Sequence, residues 1–476
     1  MVAQINEQQA AMIALAMHPA RKPRGGAGIG GAERAAVMGT ISVHGETIIQ
    51  RGRNGGGKRI RARFLSTPPL SPGPPRLYGT PMNRRHAAPA AEASPALITD
   101  TGSLAALCER LKSEPFVTVD TEFMREKTYW PELCLVQLAG QHEVALVDAL
   151  APGLDLGPLG ELMALPSVVK VFHAARQDVE IFLLKFGAVP TPLFDTQIAA
   201  MVAGFGDQAS YDSLCRSLAG VQIDKAHRFS DWSARPLSES QLAYAAADVT
   251  HLRKIFVSLT LRLEKEGRIE WVGQEMGALA DPATYLTDPD TAWERLRPRT
   301  SNRRFLGVLR ALAAWREREA QRINIPRQRL VKDDTLLEIA ATMPDGAAEL
   351  ARARGISENF AKGKTGEGLL AAIRQARALR EEELPQLQKE KAGPPPSPAL
   401  VALLKVLLAA KSEEHDVAPR LLASGDDLEK LATGQEDVPA LHGWRREVFG
   451  NAALALRSGQ LALGVDGRRV KLIPAG

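Results

Sequence analysis

The chain has 476 residues, 45% of them hydrophobic and 24% charged, which is a soluble globular profile too long for one ordinary core. No run reaches the ~18–20 uncharged apolar residues that a membrane-spanning helix needs. Three cysteines (Cys108, Cys134, Cys215) with no CxxC spacing exclude a disulfide framework or a structural zinc site and fit a reducing cytoplasm.

The net charge is +5, but it is unevenly placed: residues 1–81 hold 11 basic and 3 acidic side chains, leaving 49 basic and 52 acidic for the remainder. Global basicity therefore says nothing about the folded part, where any anion-binding surface must be a local patch. Residues 1–95 carry glycine runs, proline clusters and scattered arginine without periodic apolar patterning, so they read as a disordered basic leader. The apolar patch from Ala10 to Met17 is short and is followed, not preceded, by positive charge, which argues against a signal peptide. An Arg-rich, acid-poor leader is compatible with a transit peptide, but a true start at Met82 is the preferred reading.

From Ala96 the texture changes. Thr101-Gly102-Ser103 ahead of Leu104–Leu111 predicts a capped amphipathic helix. Phe116–Asp120, Cys134–Ala139, Val144–Val147 and Val168–Phe172 read as strands. Helical patterns follow at Gln177–Phe186, Thr196–Val202, Ser213–Leu218 and Ser238–Leu263. Strands first and helices after predict a mixed sheet covered by helices over residues 96–265. Residues 266–299, with Pro282, Pro289 and Pro298, read as a connector. Beyond it the pattern is all helical. An offset of 92 residues pairs Ile325 with Val417, Leu330 with Leu422, Leu336 with Leu428 and Ile339 with Leu431, which predicts two small helical domains at 300–382 and 396–470, joined by a proline-rich linker.

Three constellations carry chemistry. In Asp120-Thr121-Glu122, strand alternation puts both carboxylates on one face. Like charges this close repel unless a cation lies between them, and hard oxygen donors suit Mg²⁺ or Mn²⁺. A solvated strand end is the alternative. In His173–Asp178, the aspartate falls in the first turn of a helix, where it could equally be a cap. In Tyr244–Asp248, the i,i+4 spacing puts phenol and carboxylate on one helix face, with three alanines between them; a core tyrosine and an edge aspartate would look the same.

The order and spacing of VDTEFMREKTYWPELCLVQLA, FHAARQDVEIF and YAAADVTHL resemble the DEDD exonuclease superfamily and, within it, the ribonuclease D family. Tyr244, four residues before Asp248, matches the tyrosine branch. FDTQIAA from Phe194 and SDWSARPLSESQLAYAAAD from Ser230 match as well. The helical repeats are similar to tandem HRDC domains (helicase and RNase D C-terminal), with WRERE at Trp315 and LHGWRREVFG from Leu441 as landmarks. The resemblance spans roughly residues 96–470 and implies a ribonuclease H-like α/β exonuclease domain followed by two all-α domains.

It also implies a 3′–5′ exoribonuclease using two divalent ions, Mg²⁺ or Mn²⁺. Asp120 would bridge both ions, Glu122 and Asp248 would complete the first site, Asp178 would hold the second ion, and Tyr244 would orient the attacking water. Nucleoside 5′-monophosphates would be released from RNA with a single-stranded 3′ end, precursor tRNA included, by a cytoplasmic monomer. By family position Met124, Gln137, His173, Tyr211 and Arg235 would line the pocket. Each has a plain alternative: core packing for Met124 and Tyr211, a satisfied strand amide for Gln137, a core hydrogen bond for His173, and a carboxylate pair for Arg235. Arg303, Arg304, Arg316, Arg318, Arg327 and Arg329 could contact phosphates or form a solvated face. A DNA-directed exonuclease and a non-catalytic RNA-binding scaffold are the competing readings. The full set of carboxylates argues against the scaffold.

Overall fold

The computed structural model describes residues 95–224, 226–227, 230–386 and 395–475. The leader, the Met82 start and the centre of the proline-rich linker lie outside them. Among the described residues no helix is long and apolar enough to cross a membrane.

A six-stranded sheet runs in the order β1-β4-β3-β2-β5-β6. Its strands are β1 (Ala96–Ile98), β2 (Phe116–Met124), β3 (Glu132–Ala139), β4 (Val144–Asp148), β5 (Val169–Phe172) and β6 (Leu193–Asp195). β2, β3 and β4 form an antiparallel meander, while β1, β5 and β6 add in parallel. The two edge strands have three residues each, too short to show the alternation that betrays a strand in sequence.

Helices α1 (Thr101–Leu111), α2 (Gly157–Ala164), α3 (Arg176–Phe186), α4 (Thr196–Val202), α5 (Tyr211–Leu214) and α6 (Glu239–Lys265) complete this domain. Asp100 caps α1, accepting from the Ser103 amide. Ser238 and Gln241 close a reciprocal capping box that starts the 27-residue α6. Tyr211–Leu214 continues as a π turn over Cys215–Ala219.

The expected connector at 266–299 needs correction. It contains α7 (Ile269–Ala280), whose Val272, Met276 and Leu279 join the core of the sheet domain. The prolines bound only its far half, and the i, i+4, i+7 apolar spacing upstream decides the helix.

The first helical unit is built on α8 (Arg303–Arg322), α9 (Asp333–Thr342) and α10 (Lys364–Arg377), and the second on α11 (Pro398–His415), α12 (Gly425–Ala432) and α13 (Asn451–Arg457). Each has its own core. Leu330 and Leu422 end matching four-residue helices, Arg327–Leu330 and Pro419–Leu422. The second unit is not all helical. Leu461–Asp466 and Arg469–Pro474 pair as an antiparallel hairpin, β7 and β8. Leu463 and Leu472 pack on the core, and Gly467 opens the two-residue turn at a φ of 61°. Both features lie past the repeat, which ends near Ala432.

Several of the arginines read as phosphate contacts hold the protein together instead. Arg316 is 3% exposed and donates to Val331 O and Asp333. Arg304 donates to the carbonyls of Arg377 and Leu379, and Arg303 to that of Leu384. Arg327 pairs with the fully buried Glu317.

Both helical units dock on the sheet domain. In the first, Glu317 accepts from the Tyr129 hydroxyl, and Asn324 Oδ1 accepts from the amides of Tyr129 and Trp130 at 3.0 Å each. In the second, Trp444 stacks on Trp271 of α7 at 4.6 Å and 7°. Glu275 accepts from Trp444 Nε1 at 3.0 Å and pairs with Arg445. Replacing Trp444 with alanine removes this stack and opens the second core. Denaturant unfolding is expected to show a loss of about 3–5 kcal/mol, with tryptophan fluorescence reporting an early phase that the parent lacks.

Candidate active site

β2 brings the first two carboxylates to the site. Asp120 lies opposite Gln137 and Glu122 opposite Leu135 across β3, so both point to the face that α6 covers. Thr118, fully buried on that same face, donates to Val249 O of α6 at 2.9 Å and ties the two elements together. The register shifts between Glu122 and Phe123, leaving Cys134 as the extra residue of a β-bulge. Such bulges bend a strand and re-aim the side chains that follow.

α6 supplies Asp248, whose carboxylate takes a hydrogen bond from Tyr244 one turn earlier. α3 supplies Asp178, which is 7% exposed and accepts from the Thr121 hydroxyl. Asp178 is therefore not a cap: Ala175 holds the N-cap position, without a side-chain bond.

The entry to α3 is held from β6. Asp195 accepts from the amides of Ala174 and Ala175 at 3.0 and 2.9 Å and from Gln197 at 2.7 Å. It caps α4 and fixes the turn in which Ala174 sits at a φ of 58°. Sequence reading did not single out Asp195 or Thr121. An Asp-Thr pair ahead of a helical run signals a cap, but nothing local marks Thr121.

The electrostatics are severe. Burial first, and then the neighbouring charge of Asp248, pushes Asp120 up to about 8. Burial and the charges of Asp120, Asp248 and Asp178 push Glu122 up to about 9. Asp248 rises to about 7 through burial, and Asp178 rises through burial and then the charge of Asp120. Among the described residues no lysine or arginine offsets these shifts. A group of hard, charge-starved oxygen donors fits a divalent cation in chemistry. In the present side-chain arrangement, however, no three of them close on one metal position among the described residues.

A cavity of about 320 Å³ opens beside the carboxylates, lined by Asp120, His173, Gln197, Tyr211, Tyr244 and Asp248 among others. Thr196 donates its hydroxyl to Phe172 O and meets His173 Nδ1 at 3.0 Å. With the Thr196 hydroxyl proton given to the Phe172 carbonyl, Nδ1 is the donor of the pair and Nε2 is left as an acceptor. Burial lowers the His173 pKa to about 4, so the ring is neutral at pH 7. Tyr211 donates to the carbonyls of Ala247 and Asp248, holding α6 in place at the turn that carries Asp248.

The other expected lining residues lie elsewhere. Met124 packs on the cluster around Leu135 and Trp232. Gln137 is fully buried and does not line the cavity. Arg235 forks onto Asp148 at 2.6 and 2.9 Å and donates further to the carbonyls of Trp232, Ala234 and Cys134. Its donors are taken, which favours the carboxylate-pair alternative.

A 3′–5′ exonuclease family model matches residues 95–264, and an HRDC domain model matches residues 305–373. Ribonuclease D of Gluconacetobacter diazotrophicus is 67% identical over 382 residues, covering 80% of this chain and 97% of the relative. Ribonuclease D of Granulibacter bethesdensis is 66% identical over 385 residues, covering 80% and 98%. The chain belongs to the ribonuclease D family. Among solved structures, Escherichia coli RNase D, an exoribonuclease involved in structured RNA processing, matches with a TM-score of 0.66 at 33% identity, covering 77% of this chain and 99% of that one. As a ribonuclease D the chain is a 3′–5′ exoribonuclease, with a mixed-sheet exonuclease domain ahead of its helical region.

The raised carboxylates set a pH dependence. A group whose folded pKa exceeds its unfolded value stabilises least when ionised, so stability falls as pH rises from the ordinary carboxylate range through the folded value. For Asp120 that window runs from 3.8 to about 8. Without metal, Asp120→Asn should melt above the parent, and by a wider margin at pH 8.5 than at pH 5. A constant margin across that range in thermal melts would show that the carboxylate is not strained.

Proposed function

We propose that this ribonuclease D removes nucleotides one at a time from the 3′ end of RNA, with two divalent ions, Mg²⁺ or Mn²⁺, held by Asp120, Glu122, Asp178 and Asp248. The observation that supports this is the gathering of four carboxylates from three elements with no basic side chain among the described residues to neutralise them. Asp120, whose charge acts on both Glu122 and Asp178, would serve both ions. Glu122 and Asp248 would complete one site and Asp178 the other. When bound, the ions lower the pKa of the attacking water and stabilise the departing oxygen.

The chain's own groups do the rest. Tyr244, already bonded to Asp248, holds the attacking water by its hydroxyl. The cavity beside it takes the terminal nucleotide, with His173 Nε2 offered as an acceptor. Water oxygen bonds to phosphorus as the bond to the 3′ oxygen of the preceding nucleotide breaks, and that oxygen takes a proton. The product is a nucleoside 5′-monophosphate, and no covalent enzyme intermediate is required. The natural substrates on this reading are structured RNAs with a short single-stranded 3′ tail, precursor tRNA among them.

The test is a 5′-labelled RNA hairpin with a 3′ tail, incubated with Mg²⁺, Mn²⁺ or chelator. The expected result is a ladder shortening from the 3′ end with metal only, absent in Asp120→Ala. In Tyr244→Phe, kcat should fall about 10²-fold or more, with the metal requirement unchanged. RNA binding without cleavage by the parent under all conditions would sink the reading, and equal rates on the matching DNA would overturn the RNA preference.

A further inference from the structure

Gln137 stands at the centre of the sheet on β3, with no exposed surface. Its cross-strand neighbours are Asp120 on β2 and Leu146 on β4. Directly opposed residues of an antiparallel pair share a face, with Cβ atoms about 4.5–5.5 Å apart. The amide of Gln137 and the carboxylate of Asp120 thus lie side by side under α6. Neither the nitrogen nor the oxygen of that amide meets a hydrogen-bond partner among the described residues.

A buried amide with both ends idle is costly, and such groups are rare in folded proteins. Leucine fills the neighbouring places on the same face, at 135 and 146, so packing alone does not call for an amide here. Substrate contact does not call for it either, since Gln137 is absent from the cavity wall.

The remaining explanation comes from the carboxylates themselves. Asp178 receives a hydrogen bond from Thr121, and Asp248 receives one from Tyr244. Asp120 receives one from the Thr121 backbone and, among the described residues, none from a side chain. Carboxylates that ligate a metal are commonly oriented by such outer bonds, and losing one typically weakens the metal 10–100-fold.

We propose that Gln137 is a positioning residue for the exonuclease reaction: its amide nitrogen donates to a carboxylate oxygen of Asp120 when the cluster holds its cations, and fixes which oxygen faces them. This rests on the metal-binding reading of the four carboxylates given above. The idle amide is then a bond held in reserve, made when metal binding turns the Asp120 carboxylate toward it.

The experiment uses the full chain with Gln137→Met, which is nearly the same size and apolar, and Gln137→Leu as a second apolar filling. Thermal melts without metal, melts across a Mn²⁺ titration, and kcat and KM on the tailed hairpin are measured for each beside the parent and Asp120→Ala. The expected result is a metal-free Tm equal to or above the parent's. The Mn²⁺ midpoint should move up about 10–100-fold, and kcat should fall at fixed metal while KM stays within about twofold. A midpoint and kcat matching the parent's would overturn the inference. So would a lower metal-free Tm in both variants, since the amide would then be serving the apo core. A parent whose Tm does not respond to Mn²⁺, or responds equally in Asp120→Ala, would bring down the metal-site reading and this inference with it. A response lost in Asp120→Ala but intact in both Gln137 variants would remove only the role of Gln137.

Discussion

Mutual repulsion among four buried or half-buried carboxylates is the constraint on which the rest of the exonuclease domain depends. Asp120 and Glu122 come from β2, Asp178 from α3 and Asp248 from α6, and uncompensated charge would drive these elements apart. Each is braced. Thr118 and Tyr211 bond to the α6 carbonyls of residues 247–249, around Asp248. Asp195 pins the first residues leading into α3. Thr121, between the two β2 carboxylates, turns the opposite way and meets Asp178. The braces are polar side chains bonded mostly to backbone, so they hold position without adding a counter-charge that would compete with a cation.

What the sequence shows of this site follows from period. Asp120 and Glu122 are legible because a strand repeats every two residues, and Tyr244 and Asp248 because a helix returns after four. Asp178 is legible only through its company, because a helix-start aspartate has an ordinary use as a cap. The contact that gives it another use comes from Thr121, 57 positions away. Arg235 shows the same limit in reverse. Its partner Asp148 is 87 positions distant, and no local pattern announces that the guanidinium is spoken for.

The misread segments have equally physical causes. Prolines after Asp281 outweighed the spaced Val272, Met276 and Leu279, although a proline ends a helix without forbidding the one before it. The terminal hairpin follows a helical repeat and borrows its core for one face, so its alternation is short and half-masked. In the first helical unit, basic residues looked available for phosphate because sequence does not show burial. Arg316 and Glu317 are among the least exposed charges of the described residues, and each is paired with a partner that folding brings near.

The loop between β2 and β3 follows the bulge beside Glu122 and is gripped by α8 and the residues just after it. Tyr129 and Trp130 give their amides to Asn324, and the Tyr129 hydroxyl goes to Glu317. The helical unit is thus a wall of the enzyme as well as an appendage to it. Cutting the chain near residue 300 would strip the loop of residues 125–131 of its anchor and lay bare Trp271 on the other side. A shortened enzyme with weak activity would report on the order of that loop as much as on lost affinity for RNA, and point changes at Asn324 would separate the two more cleanly than any truncation.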